Sequence, residues 1–134
     1  MRQVVVFERK NVYAKTPAYM FKKIQHIYIN YAQENMILFC LNTRLRITHR
    51  EIIFKGGLNH MSADIRTIYR AALKKNAHAI ILAHNHPSGN LKPSQEDIEF
   101  FKQIKEAGRI IGCECLDSII FNQTSFYSMM ESGW

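Results

Sequence analysis

A chain of 134 residues, 47% of them hydrophobic, is long enough to bury one substantial core, and we expect a single domain over residues 1–134. No apolar run approaches the roughly 20 residues that a membrane-spanning helix needs, and the apolar residues 4–7 are too few for a signal-peptide core. We therefore expect a cytoplasmic protein without membrane contact. The three cysteines, Cys40, Cys113 and Cys115, have no metal-type pair spacing and are expected to be reduced and buried.

The net charge of +7 is distributed unevenly. Residues 1–55 hold ten basic and three acidic residues, whereas residues 56–134 hold eight of each sign. A basic segment of this kind can attract nucleic acid or an acidic protein, or it can simply be a solvated surface. No nucleic-acid motif accompanies the charge. The basic residues considered are Arg2, Arg9, Lys10, Lys15, Lys22, Lys23, Arg44, Arg46 and Arg50.

The first half of the chain predicts strands and one helix. Residues 2–7 read as an edge strand, and residues 17–31 read as a helix opened by an N-cap threonine and a proline. Residues 36–41 and 45–54 then predict two strands around a turn at 42–44.

The second half alternates helices and strands. A helix is predicted from residue 62 or 63 to residue 75, followed by a central strand at 79–85. The next helix spans residues 94–107, with Gly108 at its C-cap. Residues 109–116 and 118–121 are predicted as two closing strands, and Asp117 between them as a turn residue. The pattern predicts an α/β domain with a mixed sheet flanked by helices.

Residues 83–97 suit one hydrolytic metal site. His84 and His86 lie two residues apart on the predicted strand, so both imidazoles project from the same face. Pro87 ends the strand, and a helix starting at Ser94 brings Asp97 back toward the histidines. Three ligands leave one coordination position open, as is typical of catalytic zinc.

Simpler interpretations exist for each residue. Ser94 and Asp97 alone are explained as a helix N-cap with an acidic residue three positions on. A single histidine at a strand end is more often a surface or hydrogen-bonded core residue than a ligand. Two such histidines followed by a proline and a glycine turn favour the metal site.

At these positions the sequence resembles a known family. The pattern His84-x-His86-Pro87-x-Gly89, followed by Pro93-Ser94-x-x-Asp97, is similar to the metal motif of the JAMM/MPN+ (JAB) metalloproteases. The sequence His-Asn-His-Pro-Ser-Gly at residues 84–89 resembles the bacterial RadC-like branch of this family. The resemblance extends over residues 34–121, with further matching blocks at 56–59, 66–73 and 76–83.

The resemblance implies a role for each site residue. His84, His86 and Asp97 would hold Zn²⁺, which lowers the pKa of its bound water. Glu34, which precedes a buried strand, would act as the general base. Ser94 would hydrogen-bond the water or the developing oxyanion. Without the resemblance, Glu34 reads as a solvated acidic residue.

The fold implied is the α/β (α+β) MPN/JAB fold, which has a cytidine-deaminase-like architecture, with its core at about residues 34–128. The implied function is that of a bacterial zinc-dependent metallopeptidase or isopeptidase-like hydrolase acting on a peptide or protein amide. The alternative is a non-enzymatic nucleic-acid or protein interaction module with a DNA-repair-associated role.

Two features depart from the branch. Its longer members carry a helix-hairpin-helix module, for which the residues before Glu34 are too few, so we expect none. The branch also has Asp-His where this chain has Asp117-Ser118. This difference predicts altered substrate handling or metal tuning near Ser118.

Overall fold

The computed structural model describes residues 16–56 and 64–134. The predicted edge strand at 2–7 lies outside them. The elements in chain order are α1 (Pro17–Gln25), β1 (Glu34–Leu41), β2 (Ile47–Gly56), α2 (Ile65–Lys74), β3 (Ala79–Asn85), α3 (Gln95–Ile111), β4 (Glu114–Phe121) and β5 (Phe126–Ser128). None of the described helices is long and apolar enough to cross a membrane.

The strands form one mixed sheet in the order β2-β1-β3-β4-β5. Strands β3 and β4 run parallel and the other neighbours antiparallel. Seven consecutive residues of β3 are buried, as its central position requires. The mixed sheet and the three helices of the described ranges confirm the predicted α+β class and are consistent with the MPN/JAB fold.

Helices cover both faces of the sheet, so the described residues form two apolar clusters. On one face, Met20 and Ile24 of α1 pack against odd-numbered residues of β1 and β3, such as Phe39 and Ile81. On the other, α2 and α3 pack against even-numbered residues of the same strands. This alternation follows from the two-residue period of a strand. All three cysteines lie in the second cluster, where burial raises the pKa of Cys40 to about 11 and of Cys115 to about 12.

Helix α1 is shorter than predicted and ends at Gln25 instead of residue 31. Beyond it the chain turns toward the start of β1. The side-chain amide of Asn35 donates to the carbonyl oxygens of Asn30 and Gln33, both at 3.0 Å. These bonds close a turn that a continued helix would prevent.

The predicted C-cap at Gly108 was wrong, because α3 continues to Ile111 and ends at Gly112, which has φ +89°. Gly108 lies inside the helix, where a Cβ would overlap the hydroxyl of Tyr69 and the carbonyl oxygen of Cys113. Close packing at this position therefore explains why residue 108 is a glycine. The predicted strand at 109–116 was also wrong at its start, since residues 109–111 are helical.

Asp117 was wrongly predicted as a turn residue. Strand β4 passes through this position without a turn, and the side chain is 2% exposed. Its Oδ1 accepts hydrogen bonds from the backbone N–H groups of Ser118 and Met130, and its Oδ2 accepts one from the Ser128 hydroxyl. These three bonds compensate the burial of the carboxylate, and those from Ser128 and Met130 tie β4 to β5 and to the segment that follows it.

Candidate metal centre

His84 lies near the end of β3, on the sheet face that α3 covers. The residue is 4% exposed, and neither ring nitrogen has a hydrogen-bond partner among the described residues. Its Nε2 is 3.1 Å from Oδ1 of Asp97. A buried, unsatisfied imidazole is costly unless something else occupies that position. Nε2 therefore faces a carboxylate oxygen without a hydrogen bond between them, which fits a site that is completed by a cation bound to both.

His86 follows the end of β3 by one residue. Its Nδ1 lies 2.7 Å from the carbonyl oxygen of Asn90, which can only accept a hydrogen bond. Nδ1 therefore carries a proton, and in the neutral ring Nε2 presents a lone pair. That Nε2 lies 2.9 Å from Oδ2 of Asp97. Two acceptors at this distance need a proton or a cation between them, and the contact with Asp97 accordingly raises the pKa of His86.

Asp97 is the third residue of α3 and has two partners at its N-terminus. Its Oδ2 accepts the backbone N–H of Ser94 at 2.8 Å, and its own N–H donates to Oγ of Ser94 at 3.0 Å. This is a complete capping box. Burial disfavours the charged carboxylate, but the two imidazoles beside its oxygens hold the pKa of Asp97 well below its usual range.

The capping interpretation and the ligand interpretation are therefore compatible. The capping box holds the Asp97 carboxylate at the start of α3, facing both imidazoles. Ligand atoms of His84, His86 and Asp97 all lie within 4.8 Å of one another, and no other such group of three is found among the described residues. Two imidazoles and one carboxylate form a donor set that suits zinc, so the residues present fit the metal.

Glu34 and Ser94 lie beside this cluster without belonging to it. Both line a cavity of about 580 Å³ that also contains His84, His86 and Asp97. Strand register brings Glu34 there, because Met36 pairs with His84 and continuing this antiparallel register sets Glu34 opposite His86. The five predicted site residues therefore meet in one cavity.

Sequence reasoning missed two asparagines that hold the strand ends. Asn35 and Asn85 are 1% and 0% exposed, and Asn85 Oδ1 accepts hydrogen bonds from both the backbone and the side chain of Asn35. Asn85 also donates to the carbonyl oxygen of Gln33. The pair links the residues on either side of Glu34 to the residue between the two histidines. An asparagine inside each of two apolar strands was the available signal.

The remaining described histidines lie apart from the site. His49 pairs with Glu51 at 2.6 Å on β2, and His26 and His78 are exposed. His60 lies outside the described residues. Ser118, in contrast, lines the cavity although sequence reasoning assigned it no definite role.

The RadC-like JAB domain family matches residues 14–134, which is nearly the whole chain. The chain belongs to this family. Among curated bacterial relatives of this RadC-like chain, a UPF0758 protein of Geobacillus sp. (strain WCH70) is 43% identical over 103 residues, which are 77% of the chain and 46% of that protein. A UPF0758 protein of Bacillus mycoides (strain KBAB4) is 39% identical over 137 residues, covering 98% of the chain and 59% of that protein. The chain thus spans about half to three fifths of these relatives.

Proposed function

We propose that this RadC-like protein is a zinc-dependent metallopeptidase or isopeptidase-like hydrolase that cleaves an amide bond in a peptide or protein. The observation that carries the proposal is the convergence of His84, His86 and Asp97 on one side of an open cavity. His84 Nε2 lies 3.1 Å from Asp97 Oδ1, yet no described residue forms a hydrogen bond with either His84 nitrogen. A structural core has no use for such an arrangement, because each unsatisfied buried nitrogen costs free energy.

His84, His86 and Asp97 would hold the metal. When bound, zinc supplies Lewis acidity, which polarises a carbonyl group and lowers the pKa of a coordinated water. Asn90 contributes by accepting the Nδ1 proton of His86, which orients the ring and leaves Nε2 available as a ligand. The capping box keeps the Asp97 carboxylate in position for the same purpose.

Glu34 and Ser94 would handle protons and charge in the reaction. In amide hydrolysis, water adds to the carbonyl carbon, the C–N bond breaks, and one proton moves to the leaving nitrogen. The Glu34 carboxylate at the cavity wall accepts the proton of the attacking water and delivers it to the amine. The oxygen of the Ser94 hydroxyl already accepts the Asp97 N–H, so its proton is available to donate to the substrate oxygen that gains negative charge.

The decisive experiment is elemental mass spectrometry of the purified protein beside His84→Ala and Asp97→Ala. His78→Ala is the matched control, because this histidine is exposed and lies outside the cluster. We expect near-stoichiometric zinc in the wild type and the control, and none in the two cluster variants. A wild-type protein that stays metal-free after incubation with zinc would refute the proposal. A screen of peptide and amide substrates, with and without chelator, then tests hydrolysis.

A second function rests on a different part of the molecule. Arg44, Arg46 and Arg50 are exposed on the β1–β2 hairpin and on β2. The hairpin joins the end of β1 opposite to Glu34, so this basic surface is separate from the cavity. We propose it as a contact for nucleic acid or an acidic protein.

Salt-dependent DNA binding distinguishes the two functions. An interaction module predicts binding that is lost when the three arginines are neutralised and is unchanged in His84→Ala. Absence of binding at low salt would exclude nucleic acid as the partner of this surface. The bacterial relatives and the buried cysteine thiols support our further proposal of a bacterial cytoplasmic location.

A further inference from the structure

The cavity continues beyond the candidate metal centre, between α3 and the sheet. Residues at three- and four-residue spacing on α3 form one wall, and residues of β1 and β4 form the opposite side. The α3 wall consists of Glu96, Glu99, Phe100 and Gln103. Met36 and Ser118 contribute from the sheet. A space of about 580 Å³ accommodates a substrate segment in addition to the reacting amide.

The charge of this cavity is opposite in sign to that of the chain. Of the lining residues that the structure describes, and apart from the candidate ligands, three carry carboxylates, Glu34, Glu96 and Glu99, and one, Lys92, carries an ammonium group. The chain as a whole carries a net charge of +7. Within the described residues, neither Glu96 nor Glu99 forms an ion pair with a basic side chain. The local field therefore favours a cation in the cavity.

Ser118 supplies an independent observation. The residue is only 5% exposed, and its Oγ has no hydrogen-bond partner among the described residues. Its backbone is held on both sides, because the N–H donates to Asp117 Oδ1 at 2.7 Å and the carbonyl oxygen accepts the N–H of Met129 at 3.0 Å. The backbone of Ser118 is therefore fixed in the cavity lining, and its hydroxyl offers an acceptor that no described protein group uses.

We propose that this cavity is a subsite for a lysine or arginine side chain of the substrate, next to the amide that is cleaved. The methylene groups of such a side chain pack on Met36 and Phe100, Ser118 Oγ accepts one of its N–H donors, and Glu96 and Glu99 attract its charge. This assignment deepens the proposed hydrolase function and rests on it.

The test compares two pools of short fluorescein-labelled peptides that differ only in a fixed central lysine or glutamate. Fluorescence anisotropy measures their binding to chelator-treated wild-type protein, in which cleavage cannot remove the peptide. The net positive charge of the protein attracts the glutamate pool non-specifically. Tighter binding of the lysine pool must therefore come from a local acidic site. We expect the lysine pool to bind about fivefold more tightly, as two partly exposed ion pairs allow.

Variants assign the preference to the cavity. In the double variant Glu96→Gln/Glu99→Gln we expect the lysine-to-glutamate ratio to fall below about twofold. The control Glu106→Gln/Glu114→Gln removes the same charge from exposed positions outside the cavity and should keep the wild-type ratio. Ser118→Ala should weaken binding of the lysine pool about threefold while circular dichroism shows a folded protein.

Several results would overturn the subsite. These are equal binding of both pools, preference for glutamate, no binding of either pool, or equal loss of the ratio in the cavity and control variants. Zinc content is measured separately on the wild type. A protein that binds zinc but shows no lysine preference refutes the subsite alone, whereas a protein without zinc refutes the hydrolase.

Discussion

Oδ2 of Asp97 lies 2.9 Å from Nε2 of His86, and the same oxygen accepts the backbone N–H of Ser94. One carboxylate thus joins the start of α3 to the histidine that follows β3. The helix cap and the candidate metal centre share this residue, so a substitution at Ser94 or at His86 separates its two roles.

Ser94→Ala separates the cap from the metal. Loss of the hydroxyl acceptor for the Asp97 N–H should lower the free energy of unfolding by about 1 kcal/mol. Zinc content should remain stoichiometric, because Ser94 is not a ligand, while hydrolysis should fall about 10²-fold through loss of a donor to the developing oxyanion. Denaturant unfolding, metal analysis and rate measurement check these outcomes. Ser94→Thr keeps the hydroxyl and serves as the control, and loss of zinc in Ser94→Ala would contradict the assignment.

Zinc should stabilise the folded protein, because its three ligands converge only in the native state. At free zinc of about 100 times Kd the expected gain is about 2.7 kcal/mol. For a domain of this size that corresponds to a rise in Tm on the order of 5–10 °C. Thermal unfolding with zinc and with chelator measures the difference, and His84→Ala should show none. A Tm that is indifferent to zinc in the wild type would argue against a folded-state metal site.

Glu34→Gln should leave zinc binding intact and reduce hydrolysis by about 10²–10⁴-fold, because the amide cannot take up the proton of the attacking water. Glu114→Gln is a suitable control, since Glu114 is exposed at the start of β4 and does not line the cavity. The measurement is the rate on the substrate found in the amide screen, normalised to zinc content. Undiminished activity in Glu34→Gln would remove the residue from the mechanism.

Asn85→Ala should lower both stability and activity while zinc stays bound. The change leaves the backbone N–H of Asn35 and the carbonyl oxygen of Gln33 without their partner, at a cost of about 2–3 kcal/mol. Because these groups flank Glu34, the rate should fall more than the folded fraction. Asn85→Asp retains an acceptor for Asn35 and should recover part of the rate. If the rate only follows the folded fraction, Asn85 does not position Glu34.

Asp117→Asn should change the pH dependence of stability. Burial raises the pKa of Asp117 in the folded protein, so between its unfolded and folded pKa values the native state binds the extra proton. A rise in pH through this range therefore lowers the free energy of unfolding of the wild type. Asparagine does not titrate, so the variant lacks this contribution. We therefore expect urea unfolding between about pH 4 and pH 7 to show that the free energy of unfolding of the wild type rises relative to that of Asp117→Asn as pH falls. A constant difference between the two proteins would contradict the raised pKa.

The residues of the candidate centre were predictable where the relevant physics is local. The two-residue period of a strand sets His84 and His86 on one face, and the spacing of a capping box brings Asp97 to the start of a helix. A continuous apolar run likewise predicted β3, and the succession of helices and strands predicted the mixed sheet. Each of these features depends on neighbours within a few positions along the chain.

Only the tertiary structure decided the features that depend on distant contacts. Glu34 reaches the centre because of the register between Met36 and His84, which no local pattern determines. Position 108 is a glycine inside α3 because the Tyr69 hydroxyl fills the space of a Cβ there, and the buried Asp117 is compensated by hydrogen bonds from Ser128 and Met130. Sequence by itself therefore determined the fold class and the chemistry of the donor set. Long-range pairing and packing decided where the helices end and what surrounds the donors.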